Sequence, residues 1–181
     1  MSAMQIKWLG HSCFRVECQG YALVLDPFEP GSVPGCREIQ EVADQVLCSH
    51  EHHDHNYRAG VTLRQDGPAN PFTITALPSF HDDCGGEKRG PNIIHLLEAE
   101  GLRAAHFGDV GAMPSPEVLE ICGKTYANKN LVRYGGKEYA RAMEVSSLTA
   151  VLDYIAAAGA EFRQDMILHV ESPKKVSLVS F

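Results

Sequence analysis

The sequence predicts a single α/β domain, of the α+β type, in which short strands alternate loosely with helices. Short apolar alternations open the chain, further apolar segments of strand length follow, and two segments show helical spacing or composition. With 181 residues, 44% of them hydrophobic, the chain can bury one core. We therefore expect residues 1–181 to form one domain.

The charge and the cysteines restrict the class of protein. The net charge of -7 at pH 7 argues against a basic surface for nucleic acid or an anionic membrane. Six cysteines are scattered without a C-x-x-C pair, no signal peptide is evident, and no apolar run approaches the roughly 20 residues of a spanning helix. The expectation is a soluble, cytoplasmic protein with a small-molecule partner.

The first third of the chain predicts an antiparallel sheet. Strands are expected in M-Q-I-K-W-L-G-H, C-F-R-V-E-C and Y-A-L-V-L-D-P, separated at Gly10 and Gln19-Gly20. A Gly/Pro-rich loop then leads to C-R-E-I-Q-E-V-A-D, residues 36–44, where the apolar spacing predicts a helix. A short buried strand, Q-V-L-C-S, follows.

The rest of the chain alternates strands with helices. One helical turn should end at Gly60, F-T-I-T-A-L should be a strand stopped by Pro78, and a strand pair should turn at Glu100-Gly101. A helix should begin at Pro116 with Ser115 as its N-cap. Residues 138–158 predict another helix, and M-I-L-H-V and V-S-L-V-S predict two closing strands.

Residues 48–57, C-S-H-E-H-H-D-H-N-Y, concentrate four histidines directly after a predicted strand. Their spacing can turn His50, His52, Asp54 and His55 toward one point. Neutral imidazole and carboxylate are ligands that zinc, manganese and iron accept. The pattern indicates a metal site; the alternative is a solvated polar loop. His53, between the ligands, should be exposed or outside the set.

The run H-E-H-H-D-H also resembles the H-x-H-x-D-H motif of the metallo-β-lactamase superfamily. The segments W-L-G-H-S-C-F-R, V-L-D-P-F, P-S-F-H-D-D-C-G-G, R-G-P-N-I-I and H-F-G-D-V-G are similar to its branch that includes L-ascorbate-6-phosphate lactonase. The resemblance implies a four-layer αββα sandwich. It also implies hydrolysis of a small ester, lactone or phosphoester by a metal-bound hydroxide.

Carried over by position, the resemblance implies that His50, His52 and His81 bind one metal. Asp54 and His55 would bind a second, and Asp109 would bridge the two. Asp54 and Asp109 are then the expected catalytic carboxylates, and the cofactor is one or two divalent ions, with zinc first and manganese or iron as alternatives. From the residues alone, His81 could be an exposed loop histidine and Asp109 a turn residue.

Five further residues keep two interpretations each. His11 and His106 lie at strand ends and would either position the substrate or orient Asp109, or be satisfied by backbone partners. Asp26 would either hydrogen-bond a ligating imidazole or cap a turn. Lys88 and Arg89 would meet an anionic substrate or be solvated loop charges.

The C-terminal half departs from the family pattern. No histidine occurs between His106 and His169, so the last metal ligand of the family is absent, and His169 falls in a predicted strand. This half therefore looks abbreviated, and the shortened sheet predicts a homo-oligomer. The alternative function is a degenerate member that binds one metal, lacks hydrolytic activity and acts as a binding or interaction protein.

Overall fold

The structure, a computed structural model, describes residues 4–122, 146–147, 167–172 and 175–179. These residues belong to two compact units. The first contains residues 4–73, the turn Glu98–Leu102 and the closing strands, and the second contains residues 74–97, 103–122 and 146–147. The expectation of one domain over residues 1–181 stays a prediction. Among the described helices, none has the length and apolar character needed to span a membrane.

The first unit begins with the predicted antiparallel strands. They are β1 (Met4–Gly10), β2 (Cys13–Cys18) and β3 (Tyr21–Leu25), and each pairs with the next. The second turn uses Gln19 and Gly20, both with positive φ, as a tight hairpin requires. The prediction for this part of the chain is confirmed.

These three strands belong to a sheet with six described strands, two of which come from the C-terminal region. The strand β5 (Gln45–Leu47) pairs parallel with β3, and β11 (Ile167–Ser172) pairs antiparallel with β1 and with β12 (Lys175–Val179). The order is β12-β11-β1-β2-β3-β5. Both closing strands are confirmed, and His169 lies within β11 opposite Gln5.

The topology of this sheet determines where the site residues emerge. β1 and β3 are each antiparallel to β2, and β5 is parallel to β3. The C-terminal ends of β1, β3 and β5 therefore lie at the same edge of the sheet. The residues that follow these ends are His11, Asp26 and the segment that begins at Cys48.

The prediction of a helix over residues 36–44 is wrong. Residues 41–43 form β4 (Glu41–Ala43), which pairs parallel with β6 (Val61–Leu63) in a separate two-stranded sheet. Ile39 and Ala43 are buried in the core of the first unit, whereas Val42 is 54% exposed. A loop followed by a strand thus satisfies the same apolar spacing as a helix.

The helical turn predicted before Gly60 is confirmed as a 3-10 helix, Arg58–Gly60. In the four-stranded sheet, the strand β7 (Thr73–Phe80) continues beyond Pro78, so the prediction that Pro78 stops it is wrong. In the part of this sheet that the structure describes, β7 is an edge strand. A proline is tolerated on an edge strand because the N–H it lacks has no ladder partner there.

The predicted strand pair is β8 (Pro91–Ala99) and β9 (Leu102–His106), joined at Glu100-Gly101. The fourth described strand of this sheet, β10 (Ser146–Ser147), pairs parallel with β9. Residues 146–147 contradict the helix predicted over 138–158, and the rest of that prediction lies outside the described residues. The helix α1 (Pro116–Cys122) begins as predicted, with the Val118 N–H donating to Ser115 Oγ at 3.3 Å.

Candidate metal centre

Asp26, at the C-terminal end of β3, orients two imidazoles. It is fully buried, and its φ of 47° is unusual for a residue other than glycine. Its Oδ1 accepts a hydrogen bond from the Ser49 N–H at 2.6 Å, and its Oδ2 accepts from Ser49 Oγ at 2.6 Å and from His55 Nδ1 at 2.9 Å. Ser49 Oγ also lies 2.9 Å from His50 Nδ1.

These bonds assign the tautomers of both rings. The Ser49 hydroxyl donates to Asp26, so it accepts from the Nδ1–H of His50. His55 donates its Nδ1–H to Asp26 directly. Each ring therefore carries its proton on Nδ1 and presents a lone pair on Nε2, which is how a carboxylate prepares histidines as metal ligands. The geometry favours the imidazole-bonding interpretation of Asp26 over the turn-capping one.

The loop that carries the cluster is fixed by its backbone. The Glu29 N–H donates to the carbonyl of His53 at 2.9 Å, and the Tyr57 N–H donates to the carbonyl of Pro27 at 2.7 Å. The side chain of His53 is exposed, as predicted. The rings of His50 and His52 meet edge-on with centroids 4.6 Å apart.

His11, Asp54 and His55 meet within the first unit. His11 Nε2 lies 3.2 Å from His55 Nε2 and 3.4 Å from Asp54 Oδ2, and His55 Nε2 lies 3.8 Å from Asp54 Oδ2. The donor atoms of the three side chains all lie within 4.8 Å of one another. The side chains of His11 and Asp54 are about one-third exposed, so this group faces solvent on one side.

In the second unit, His81 and Asp109 form a pair. His81 Nε2 lies 3.1 Å from Asp109 Oδ2, and His81 is buried. Asn92 positions the second partner, because its Oδ1 accepts from the Asp109 N–H at 3.1 Å while its amide donates to Ser79 Oγ at 2.7 Å and to the Phe107 carbonyl at 2.9 Å. The assignment of His81 and Asp109 as metal ligands stays a prediction.

The loop after His81 is organised around Asp82. Its carboxylate accepts backbone hydrogen bonds from Cys84, Gly86, Lys88 and Arg89. Burial raises the pKa of Asp82, but these N–H donors and the Cys84 thiol outweigh it and hold the pKa well below its usual value. The loop is therefore shaped by one carboxylate, and the Lys88 side chain is largely exposed.

A close backbone approach also fixes this region. The Gly111 N–H donates to the Phe80 carbonyl at 2.9 Å, and a Cβ at Gly111 would lie 2.3 Å from the His81 carbonyl oxygen. Only glycine fits there. The G-D-V-G run thus holds Asp109 beside His81 partly through its second glycine.

Sequence reasoning missed Ser49, Asn92 and Gly111 as positioning residues, and it left His11 outside the ligand set. The signal for His11 was its place at the end of the first strand, which only the sheet topology connects with His55. His106 is buried at the end of β9, and its role stays a prediction. Burial raises the pKa of Cys48 to about 12, so this thiol is neutral at pH 7 and no nucleophile.

Comparison with known proteins identifies the family. A family model described as a beta-lactamase superfamily domain matches residues 5–125, which is more than half of the chain. The chain belongs to the beta-lactamase superfamily. A UPF0173 metal-dependent hydrolase of Methanopyrus kandleri is 34% identical over 119 residues, covering 65% of this chain and 50% of that protein. Another, of Carboxydothermus hydrogenoformans, is 30% identical over 150 residues, covering 64% of this chain and 66% of that protein.

The fold of this superfamily member agrees with a solved structure. A protein from Veillonella parvula, described as a possible metal-dependent hydrolase, is 10% identical, with a TM-score of 0.50 and coverage of 90% of this chain and 98% of that chain. The predicted α/β, metallo-β-lactamase-like fold is confirmed. The chain spans about half to two thirds of the length of the curated relatives it matches.

Proposed function

We propose that the protein is a metal-dependent hydrolase of small esters, lactones or phosphoesters. The observation that carries the proposal is the preparation of His50 and His55 by Asp26, which leaves an acceptor nitrogen on each ring. The relatives named as metal-dependent hydrolases support the same activity.

The donor set fits a divalent ion. It consists of neutral imidazoles and carboxylates, which zinc, manganese and iron all accept, and it lacks the thiolates of a closed structural zinc site. Zinc is the first candidate. We assign His50, His52 and His81 to one ion, Asp54 and His55 to a second, and Asp109 to both. The family motif supports this division.

When bound, such ions would polarise the reacting carbonyl or phosphoryl oxygen and lower the pKa of water. Asp54 and Asp109 are the proposed catalytic residues because each is about one-third exposed and can accept a proton from the attacking water. Asp26 keeps the imidazoles oriented but is too buried to touch substrate. His106 is proposed to position the substrate beside Asp109.

The test measures metal content and hydrolysis on the same preparations. Untagged protein, purified without chelator, is analysed for metal and assayed against lactones, carboxylic esters and phosphoesters. We expect bound divalent metal and chelator-sensitive hydrolysis. His50→Ala should reduce kcat/KM by at least about 100-fold. Changing the hydrogen-bond partner of a ligating histidine already lowers activity by up to about 100-fold, and removal of the ligand itself should lower it no less. His53→Ala, on an exposed neighbour, is the matched control and should leave activity unchanged.

A specific observation favours a second candidate function. The chain lacks a histidine between His106 and His169, where the family's last ligand would lie. The alternative is a non-hydrolytic protein that binds one metal and recognises a partner. Absence of hydrolysis across the whole panel at full metal occupancy would favour it, whereas chelator-sensitive turnover that His50→Ala abolishes would reject it.

Substrate charge, compartment and assembly are narrower parts of the proposal. We propose an anionic substrate, as in the lactonase branch, met by Lys88 or Arg89. A phosphorylated lactone should then be preferred over its uncharged analogue. We also propose a cytoplasmic homo-oligomer; elution as a strict monomer at micromolar concentration would contradict the assembly.

A further inference from the structure

His11 occupies a turn whose backbone is specialised. It lies between β1 and β2, with φ of 49°, directly after Gly10 with φ of 107°. The Trp8 indole N–H donates to the His11 carbonyl at 2.8 Å, and the flanking residues Leu9 and Cys13 are buried in the core. A positive φ is uncommon at a residue other than glycine. The turn therefore holds the imidazole in a defined place.

The distances around His11 match those of ligands on one ion. Two ligand atoms at about 2.0–2.1 Å from a tetrahedral ion lie about 3.3 Å apart. The three separations among His11 Nε2, His55 Nε2 and Asp54 Oδ2 are 3.2, 3.4 and 3.8 Å. No side chain would need more than a small movement to share an ion.

The tautomer of His55 points the same way. Its Nδ1–H is donated to Asp26, so its Nε2 lone pair faces His11. Without an ion, His11 can donate its Nε2–H to that lone pair. With an ion, His11 moves its proton to Nδ1, and both Nε2 atoms become ligands. Asp54 supplies the negative charge that favours a cation.

We propose that His11, Asp54 and His55 form a divalent-cation site within the first unit. Resting on the proposed function, this assigns to His11 the ligand position that the family fills with a later histidine, absent here between His106 and His169. This group faces solvent on one side, so coordination positions remain open beyond these three ligands.

The test counts bound ions and does not depend on turnover. Wild type, His11→Asn and the matched control His53→Asn are equilibrated with zinc, desalted and analysed for metal content, and the affinity is measured by chelator competition. Asparagine tolerates a positive φ, so the turn should persist, and its side chain is a poor zinc ligand. Asp54→Asn, on the other loop, provides a second variant if His11→Asn does not fold.

We expect two ions per chain in wild type and in His53→Asn, and one in His11→Asn and in Asp54→Asn. The affinity of the lost ion should fall at least about tenfold. If wild type binds one ion, its loss in His11→Asn supports the site, and its retention overturns it. Two ions of unchanged affinity in folded His11→Asn, or none in wild type, also overturn the proposal. Lack of hydrolysis with the expected ion counts would reject the proposed function alone.

Discussion

Asp26 shows how one residue can orient several side chains of the candidate metal centre. Both of its oxygens accept hydrogen bonds, and the donors include His55 and the Ser49 hydroxyl that in turn orients His50. A carboxylate suits this position because every one of its partners donates. An amide in its place would present two N–H donors to groups that also donate.

We therefore expect Asp26→Asn to weaken metal binding by about 10–100-fold, the range observed when the hydrogen-bond partner of a ligating histidine is changed. The unfolding free energy should also fall, by about 1–3 kcal/mol, because a buried donor loses its acceptor. Chelator competition and urea unfolding measure the two effects. Asp66→Asn, on an exposed loop, is the control, and equal zinc affinity in both variants would contradict the role of Asp26.

Sequence reasoning recognised Asp26 only as one of two alternatives. The reason is physical: its partners at 49 and 55 are more than twenty positions away, and nothing in D-P-F indicates them. The H-x-H-x-D-H ligands could be predicted because their spacing is local. Gly111 could not, because its need for glycine comes from the backbone of His81.

At the scale of elements, local hairpins were predictable and the short parallel strands were not. Tight turns join β1, β2 and β3, and the residues of these turns are recognisable in the sequence. β4 has three residues and depends on β6, so its apolar pattern is too short to separate it from a helix. The prediction that Pro78 stops a strand was wrong for a related reason. A proline is tolerated on an edge strand, and the edge position of β7 follows from the order of strands in the sheet, which the local sequence does not show.

Asn92 links elements of the second unit, and its removal should be costly. It is buried, and it contacts Ser79 on β7, the Phe107 carbonyl after β9 and the Asp109 N–H. Asn92→Ala should lower the unfolding free energy by about 2–3 kcal/mol, since several buried polar groups lose partners together. Metal affinity should fall as well, because Asp109 loses its anchor.

Urea unfolding and chelator competition test this prediction. Asn70→Ala provides a matched control, because Asn70 lies on an exposed loop and makes one local hydrogen bond to the Phe72 N–H. A stability loss no greater than that of the control would show that Asn92 does not hold these strands together.

At the scale of the whole molecule, stability should depend on pH through Asp44. Burial raises the pKa of Asp44, but hydrogen bonds from Arg64 and the Ala22 N–H outweigh it and hold the pKa below its usual value. A lowered folded-state pKa means that this stabilisation is present above about pH 4 and is lost as the pH falls through the folded-state pKa.

Asp44→Asn should therefore lower the unfolding free energy at pH 7 by about 1–3 kcal/mol. In acid, the unfolding free energies of wild type and variant should converge. Urea unfolding between about pH 7 and pH 2 measures both curves, with Asp66→Asn as the control. A difference between wild type and variant that stays constant across this range would contradict the prediction.

The common edge at which β1, β3 and β5 end has a thermodynamic consequence. The ligands of the proposed His11, Asp54 and His55 site are separated in sequence by up to 44 positions, from His11 to His55, and pairing of the strands is what brings them within reach. An unfolded chain would hold an ion far more weakly, so binding and folding would be linked. Zinc at 100 times its Kd would add about 2.7 kcal/mol, and the melting temperature would rise with the zinc concentration.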